Sequence, residues 1–385
     1  RARGEQARRC GRGNVVTTRE VALPTYRVTI GAGLLPLAGD MVHRVAPAHR
    51  YAIITDDNVG PIYASRLCTA LGEERTRIYT IEAGESHKTR ATWASLTDDL
   101  LAAGFGRDSA IVALGGGVVG DVAGFVAATY MRSIPYVQAP TSLLAMIDAS
   151  VGGKTGVDTP AGKNLVGAFH QPAAVVADIG VLATLPAEHV RAGMAEAIKH
   201  GVIADAAYFE RAKRVASRFA SRSAARSAAE RADLDGEEML DLVARSVEIK
   251  AGIVRRDERE GGVRKTLNFG HTIGHAVERC SEYRMLHGDA VAIGMAYESA
   301  LAEQLGVAAR GTAAGVREAL QQAALPSVLP PNVDVDAVIE ATHADKKARA
   351  GTTEYALPVR IGEMAPANGN WSLPVSDAAV RALFA

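Results

Sequence analysis

The hydrophobic pattern of the chain changes its period near Pro186. Before that residue, short β-branched runs such as "RYAIITDD", "SAIVALGGG" and "AAVVADIG" alternate with helical stretches such as "TWASLTDDLLAAG". This alternation predicts βαβ units and a largely parallel sheet. After it, stretches such as "GEEMLDLVARSVEIKAGIVRR" and "GDAVAIGMAYESALAEQLG" keep helical spacing, which predicts an all-α domain.

The length supports two domains, because 385 residues exceed what one hydrophobic core usually fills. We predict an α/β domain with a Rossmann-like parallel sheet over residues 25–185 and an all-α domain over residues 186–385. The arginine-rich start of the chain, residues 1–24, is predicted to be a disordered leader.

The composition excludes several function classes. The 43 basic and 43 acidic residues cancel, so no overall charge favours nucleic acid, and any anion site must be local. Cys10, Cys68 and Cys280 lack the spacing of a metal site or a disulfide framework, which fits a reducing compartment. No apolar run reaches the roughly 18 residues of a membrane helix. We therefore expect a cytoplasmic protein that binds neither membrane nor nucleic acid.

A glycine turn follows one predicted strand in "IVALGGGVVGDVAG". Gly115, Gly117 and Gly120 satisfy G-x-G-x-x-G, a pattern that brings backbone N–H groups close to a pyrophosphate at a helix start. A purely structural turn stays open as the alternative, since no acid follows about twenty residues later to hold a ribose. Instead, "ITDDNV" offers Asp56 and Asn58 at the carboxyl end of another predicted strand.

A glycine-rich connection, "DASVGGKTGVDTPAGKNLVGAFHQP", spans residues 148–172. Loops of this length inside compact domains are usually functional or disordered. Asp148, Lys154, Lys163 and Asn164 stand among glycines whose backbone amides are accessible, and this combination suits an anionic substrate. A solvated surface loop is the alternative.

Four possible metal ligands lie in the helical half, a glutamate and three histidines. Glu196 and Lys199 lie one helical turn apart among small apolar residues, so we expect them to face a cavity rather than to form a surface ion pair. His271 and His275 share a helical face, and His287 follows. Three imidazoles and a carboxylate suffice for a catalytic zinc. Satisfied core histidines are the alternative, and spacing alone does not say which three of the four groups bind.

Further cations are dispersed through the helical half. They are Lys250, Arg264, Lys346 and Lys347. Of these four cations, Arg264 is the strongest candidate for a residue of the site near the histidines, because it precedes Asn268 by four residues and His271 by seven.

Six motifs occur in order and together resemble the 3-dehydroquinate synthase family. They are "GGGVVGDVAGFVAATYMRSIPYVQAPTSLLAMIDASVGGKTGVD", "GKNLVGAFHQP", "GMAEAIKHG", "LNFGHTIGHA", "LHGDAVAIGM" and "DKK". The resemblance covers nearly all of residues 25–365. It implies a homodimeric lyase of the shikimate pathway that converts 3-deoxy-arabino-heptulosonate 7-phosphate into 3-dehydroquinate and phosphate. The implied cofactors are NAD and one divalent metal, Zn²⁺ or Co²⁺.

The resemblance also implies the course of the reaction and the roles of the two domains. NAD transiently oxidises the C5 hydroxyl, phosphate leaves by β-elimination, the ketone is reduced again, and the opened ring closes by an aldol step. A Lewis acid suits the first step because it favours the alkoxide from which hydride departs. Residues 25–185 are the implied NAD-binding domain, and residues 186–385 are the implied metal- and substrate-binding domain.

The resemblance implies roles for individual residues as well. Glu196, His271 and His287 are the implied metal ligands. Arg132 is expected to reach into the site from a second subunit. The implied phosphate-side residues are Lys154, Asn164, Lys199, Asn268 and His275. The implied contacts to the substrate carboxylate and hydroxyls are Arg264, either Lys346 or Lys347, Asp148 and Lys250. The implied NAD-binding residues are Asp56, Asn58, Glu85, Lys88, Gly116, Gly117, Val118, Asp121, Thr141, Ser142, Leu144, Lys163 and Thr184.

Two departures from the family pattern stand out. Glu188 and His189 occupy the places where the family usually has an Arg-Glu pair whose glutamate lies near the cofactor. Asp289 replaces the longer acid of "HGEA", a change expected to matter less because the implied ligand is the preceding histidine.

Three alternatives remain beside this reading. A related cyclase would act on a substrate such as sedoheptulose 7-phosphate, which lacks the carboxylate. Arg264 argues against that substrate, since an unpaired buried guanidinium costs on the order of 3–5 kcal/mol. An oxidoreductase of the glycerol-dehydrogenase type would accumulate NADH instead of releasing phosphate. A binding module without activity is the third alternative.

Overall fold

The computed structural model describes residues 5–9, 15–223, 236–343, 353–366 and 370–384. The chain divides into two compact units. The first consists of the described parts of Arg1–Leu185 and Asp235–Ala251, and the second of the described parts of Pro186–Leu234 and Gly252–Ala385. The segment Asp235–Ala251 thus interrupts the helical domain predicted for residues 186–385. The sequence did not indicate this interruption, because helical spacing shows that a segment is a helix but not which unit it packs against.

The first unit is built on an eight-stranded sheet in the order β1-β2-β3-β10-β7-β6-β4-β5. From β3 to β5 along this order every neighbouring pair is parallel, whereas β1, β2 and β3 pair antiparallel. The strands of this sheet are β1 (Glu5–Arg9), β2 (Val15–Ala22), β3 (Arg27–Gly31), β4 (Arg50–Asp56), β5 (Thr76–Ile81), β6 (Ser109–Gly115), β7 (Tyr136–Pro140) and β10 (Ala174–Asp178).

Helices cover this sheet. They are α1 (Ala38–Val45), α2 (Ser65–Leu71), α3 (Arg90–Ala102), α4 (Gly117–Thr129) and the part of α7 (Gly236–Arg256) that belongs to the first unit. Central strands such as β6 are buried along their whole length, as expected when both faces of a parallel sheet are covered. Ile54, Ile111, Val122 and Tyr136 belong to one buried cluster of this core.

The N-terminal leader prediction does not hold for strand β2. Val15–Ala22 pairs antiparallel with β3, and Val21 lies opposite Val28. Thr18 and Val21 are buried, so both faces of this strand contribute a side chain to the interior. The arginine-rich composition of the neighbouring residues, and the lack of a burial pattern of period two, concealed this strand.

The connection predicted over residues 148–172 also contains regular structure. Strands β8 (Lys154–Thr159) and β9 (Gly162–Phe169) form an antiparallel hairpin. Its glycines permit the pairing, because a Cβ on Gly156 would lie 2.6 Å from the carbonyl oxygen of Val166. Glycines that indicated a loop in the sequence are therefore strand residues in close contact.

The part of the second unit that the structure describes is helical, with four short strands in addition. Its helices are α5 (Ala187–Ala204), α6 (Ala206–Ser223), α8 (His271–Cys280), α9 (His287–Gln304), α10 (Thr312–Gln322), α11 (Val335–His343) and α12 (Asp377–Arg381). The strands form two antiparallel pairs, β11 (Thr353–Tyr355) with β14 (Leu373–Val375) and β12 (Pro358–Arg360) with β13 (Glu363–Met364). Within the described ranges, no helix is long and apolar enough to cross a membrane.

Candidate active site

Glu196, His271 and His287 lie close together in the second unit. The fully buried Glu196 places its Oε1 3.7 Å from Nε2 of His271 and 3.7 Å from Nε2 of His287. One ligand atom of each residue lies within 4.8 Å of the others. Ligands that are each about 2.1 Å from a tetrahedral ion are roughly 3.4 Å apart. One carboxylate and two imidazoles at this spacing fit a divalent metal.

Small residues bring the three supporting helices together. His271 and His287 are the first residues of α8 and α9, and Glu196 lies within α5. A Cβ on Gly288 would collide with the backbone of Ala192 in α5, and one on Gly274 would lie 3.1 Å from Ala290 in α9. Glycine at these two positions therefore allows the close helix packing that the cluster needs.

Each histidine of the cluster has a second contact through Nδ1. Nδ1 of His271 is 3.1 Å from the carbonyl oxygen of Phe269, and Nδ1 of His287 is 3.4 Å from Oε2 of Glu278. Carbonyl and carboxylate groups in these positions fix the tautomer and ring orientation of metal-binding histidines. Nε2 of both rings is thereby directed toward Glu196.

The charge of Glu278 also affects the protonation of His287. Burial lowers the pKa of His287, but the carboxylates of Glu278 and Glu196 outweigh it and raise the pKa to about 10. Metal binding requires a neutral imidazole, so an ion that binds here displaces a proton.

His275 and Lys199 complete the cluster. The His275 ring lies 5.2 Å from that of His271 and 5.9 Å from that of His287, centroid to centroid. His275, Glu278 and His287 also satisfy metal-ligand spacing, so the geometry offers two ligand sets that share His287. Lys199 is buried and ion-paired with Oε2 of Glu196, as expected for two residues that face one cavity.

Arg264 is almost completely enclosed in the same unit. Only 2% of the residue is exposed, and Nη1 donates a hydrogen bond to the carbonyl of Glu258. The preceding turn is fixed by Asp257, whose carboxylate accepts bonds from the backbone N–H groups of Gly261, Gly262 and Arg264 at 3.0, 2.7 and 2.9 Å. Burial raises the pKa of Asp257, but these three bonds outweigh it and lower the pKa.

Asn268 lies in the same 3-10 turn, Val263–Asn268, and its amide donates to Oε1 of Glu260 at 2.7 Å. Glu260 adopts a left-handed backbone conformation with φ of +62°. Strained conformations of residues other than glycine are concentrated at functional sites. The sequence pattern did not single out Glu260.

The residues of the first unit that are predicted to bind NAD lie at the carboxyl ends of neighbouring parallel strands. Asp56 ends β4, Gly116 and Gly117 follow β6, and Thr141 and Ser142 follow β7. Open α/β sheets bind their ligands along this edge. Val118 and Leu144 lie in the same two connections, and Thr184 follows β10.

The glycine turn has the packing that a nucleotide site needs. Gly116 precedes α4 in an extended conformation, so α4 begins directly at the turn. A Cβ on Gly115 would lie 2.5 Å from Val119, and one on Gly120 would lie 2.7 Å from Gln138. Glycine therefore brings the helix N-terminus close against the sheet, as it does where a backbone approaches a pyrophosphate.

Lys88 is the centre of a polar cluster in the first unit. Its Nζ lies 2.5 Å from Oδ2 of Asp121 and 2.5 Å from Oδ1 of Asn164. Burial lowers the pKa of Lys88, but the carboxylates of Asp121 and Glu85 outweigh it and raise the pKa. Lys163 lies 3.5 Å from Glu85. Five predicted residues from distant parts of the sequence therefore meet.

The remaining predicted residues differ in their surroundings. Lys250 Nζ lies 2.7 Å from Oδ1 of Asp148 in the first unit, whereas Lys154 and Arg132 are exposed. Arg132 stands between Met131 and Ser133, and all three have positive φ, at +50°, +65° and +97°. Lys346 and Lys347 lie outside the described residues.

Two positions where the sequence departs from the family pattern are also visible. Glu188 and His189 are exposed at the start of α5. Asp289 binds Arg191 through both oxygens, at 3.4 and 3.3 Å, so the shorter acid still has a partner.

Glu278 and Glu260 also lie near these sites, and the sequence pattern did not single out either of them. Glu278 follows His275 by one helical turn in "HTIGHAVERC", and that spacing could have identified it. No comparable signal marks Glu260, which reaches Asn268 only through the irregular turn between them.

Comparison with known proteins supports one family over most of the chain. The N-terminal model of 3-dehydroquinate synthase matches residues 78–192, and the C-terminal model matches residues 193–348. A 3-dehydroquinate synthase of Symbiobacterium thermophilum is 44% identical over 349 residues, which cover 90% of this chain and 94% of the relative.

Two solved cyclases have similar structures. A 2-deoxy-scyllo-inosose synthase complexed with carbaglucose-6-phosphate, NAD⁺ and Co²⁺ aligns with a TM-score of 0.84 and 25% identity, covering 96% of this chain and 99% of the other. The 2-epi-5-epi-valiolone synthase from Streptomyces hygroscopicus subsp. jinggangensis, with NAD⁺ and Zn²⁺ bound, aligns with a TM-score of 0.80 and 29% identity, covering 94% and 96%. The predicted fold class and the predicted family are both confirmed. The chain belongs to the 3-dehydroquinate synthase family.

Proposed function

We propose that the chain converts 3-deoxy-arabino-heptulosonate 7-phosphate into 3-dehydroquinate and phosphate, using NAD and a divalent metal. The observation that carries this proposal is the cluster of Glu196, His271 and His287 in the same unit as the buried Arg264. Family membership supports the reaction, and the cluster supports the metal requirement. We also propose that the protein acts in the cytoplasm, as the reducing type of cysteine usage suggests.

Glu196, His271 and His287 are the proposed metal ligands. A divalent ion held there supplies Lewis-acid polarisation of substrate hydroxyl groups. Lys199 offsets the charge of the fully buried Glu196, and its ammonium group stands beside the ligands as a donor for substrate phosphate. His275 adjoins both histidine ligands and is proposed to bind phosphate and to hold a proton for its departure.

Two further substrate features are assigned to polar groups of the chain. Arg264 is proposed to bind the carboxylate, because its guanidinium is held in one place by the Glu258 carbonyl and by the turn around Asp257. A fixed planar fork suits two-point binding of a carboxylate. Asp148 and Lys250, which form one ion pair, are proposed to contact substrate hydroxyls.

NAD is proposed to bind at the carboxyl edge of the parallel strands in the first unit. The cofactor accepts and returns the hydride when it is bound. Glycine at positions 116 and 117 allows its diphosphate to approach the start of α4, and Asp56 is available for a ribose. Lys88 keeps the carboxylate of Asp121 and the amide of Asn164 in fixed positions.

A homodimer in which each subunit supplies Arg132 to its partner is part of the proposal. Three consecutive residues other than glycine with positive φ cost about 1–3 kcal/mol each, and they direct an exposed arginine outward. Among the residues that the structure describes, Arg132 has no ion-pair partner. Strain of this kind is concentrated at functional sites, which supports a functional role for Arg132.

The test is to incubate the protein with the heptulosonate phosphate, NAD and Zn²⁺, and to measure phosphate, 3-dehydroquinate and NADH together. We expect equal amounts of the two products and no net NADH. Sedoheptulose 7-phosphate serves as the comparison substrate. Turnover of that substrate in preference to the carboxylated one would reject the assignment, and so would steady accumulation of NADH.

A further inference from the structure

Glu298 is a fully buried carboxylate that the proposed function does not use. It lies in α9, eleven residues after His287, and its residue is 0% exposed. Among the described residues, it belongs to none of the groups with metal-ligand spacing. Burying a carboxylate is costly unless hydrogen bonds stabilise its charge, so its contacts indicate what it does.

The carboxylate binds the N-terminus of the helix that carries His271. Oε2 of Glu298 accepts a bond from the N–H of Gly270 at 2.6 Å, and Oε1 accepts one from the N–H of Ile273 at 3.0 Å. Gly270 is the N-cap residue of α8, and it has no side chain to cap the helix. The N–H at position N3 of a helix is one that an N-cap side chain normally satisfies. Glu298 therefore caps α8 from a neighbouring helix.

This contact fixes the backbone on both sides of His271. Gly270 has φ of +78°, and a Cβ there would lie 2.5 Å from Met295 and 2.9 Å from the carbonyl of Val291. The turn is thus pressed against α9 at the level of Glu298. His271 stands between the two N–H groups that Glu298 binds, and its ring is held by the Phe269 carbonyl.

The charge of Glu298 also matters for a cation site. The N-terminus of a helix carries a partial positive charge, which opposes a divalent ion bound by the first residue of α8. A buried carboxylate on the same N-terminus counteracts that charge, and its effect is strong because the surroundings exclude water.

We propose that Glu298 is a positioning residue of the metal centre, which sets metal affinity through the start of α8 without being a ligand. The inference rests on the proposed function, because it takes Glu196, His271 and His287 as the ligands. Outer-shell groups of this kind typically change metal affinity by about 10- to 100-fold when they are replaced.

The same helix provides a matched control. Glu303 also lies in α9, and its Oε1 accepts a bond from the N–H of Ala313 at 2.8 Å. Ala313 belongs to the first turn of α10, which also begins after a left-handed glycine, Gly311, that has no capping side chain. Glu303→Gln therefore makes the same chemical change at a helix start that carries no metal ligand.

The experiment measures Zn²⁺ and Co²⁺ dissociation constants of the metal-free full chain by chelator competition, together with the visible spectrum of the Co²⁺ form. We expect Glu298→Gln to weaken binding about 10- to 100-fold and to change the Co²⁺ spectrum, because it keeps the shape but removes the charge. Glu303→Gln should match the wild type in both readouts. Excess Zn²⁺ should restore the kcat of Glu298→Gln, because the metal-loaded site is intact.

Wild-type affinity and an unchanged Co²⁺ spectrum in Glu298→Gln would overturn the inference. Glu298→Asp, which keeps the charge on a shorter side chain, is the second variant in case the amide does not fold. If neither variant folds even with excess Zn²⁺, Glu298 is a structural cap only, and the inference fails. If the wild type binds no metal, or if Glu196→Ala binds it as tightly as the wild type, the proposed function itself has failed.

Discussion

At the residue scale, the site depends on charged side chains whose burial gives each a fixed position. Arg264, Lys199 and Glu196 are each at most 2% exposed, so water does not compensate their charges. Buried charges persist only when specific partners and hydrogen bonds stabilise them. Such groups are already ordered before a substrate arrives, which reduces the cost of binding it.

Replacing Arg264 by lysine should test the carboxylate assignment. Lysine keeps the positive charge but loses the planar fork, so we expect KM for the heptulosonate phosphate to rise at least about tenfold. Steady-state kinetics provide the measurement, and Arg317→Lys, an exposed position in α10, is the control. Unchanged KM in Arg264→Lys would mean that the arginine does not bind the carboxylate.

At the scale of elements, short contacts fix the segments that present the predicted residues. The hairpin of β8 and β9 carries Lys154 and Asn164, and at its base His170 stacks on Tyr136 with the ring centroids 5.1 Å apart. Nε2 of His170 is 3.1 Å from the carbonyl of Ile134. The ring of His170 therefore links the end of the hairpin to the start of β7.

This link should weaken in mild acid. Burial lowers the pKa of His170 from 6.5 and outweighs the hydrogen bond to Ile134, which raises it. The opened hairpin then binds a proton more readily than the folded one. The stability that neutral His170 contributes to the folded hairpin is therefore fully present above pH 6.5. It is lost as the pH falls toward the lower folded-state pKa, and the free energy of opening changes by at most about 1.4 kcal/mol per pH unit.

Hydrogen exchange of the hairpin amides, corrected for intrinsic rates, measures this effect between neutral and mildly acidic pH. His170→Phe keeps an aromatic ring beside Tyr136 but cannot titrate, so its protection should not depend on pH in this range. Equal pH dependence in the wild type and the variant would show that another group is responsible.

Sequence pattern recovered the elements better than their contacts. The strand and helix periods predicted the α/β unit and the helical unit, because burial of one face follows directly from local spacing. The same spacing could not choose between Glu196 and His275 as a ligand, since α5 meets α8 and α9 only in the folded chain. Glu298 was beyond prediction for the same reason, as it binds N–H groups more than twenty residues away.

At the scale of the whole molecule, the proposed role of Arg132 requires a dimer with shared sites. Lys154 and Arg132 are exposed in the single chain, although the family resemblance implies that both act in the substrate site. An arginine that acts in a partner's site has no reason to be buried in its own subunit. A symmetric dimer supplies each subunit with the same contact.

Mixing two inactive variants tests this arrangement. Arg132→Ala and Lys154→Ala should each be nearly inactive, and subunit exchange between them should restore activity. Half of the randomly mixed dimers contain one intact site, so we expect about one quarter of the wild-type rate. Each variant mixed with itself is the control, and no recovery after verified exchange would show that Arg132 does not act in trans.

Glu196, His271 and His287 are proposed to bind one divalent ion, and the rest of the proposed function depends on that site. Anomalous diffraction at the zinc edge, from crystals grown with NAD and Zn²⁺, locates the ion directly. We expect a single peak within bonding distance of these three side chains, with Glu278 beside the ligand His287 and not bound to the metal. A peak enclosed by His275, Glu278 and His287, or none near His271, would contradict it.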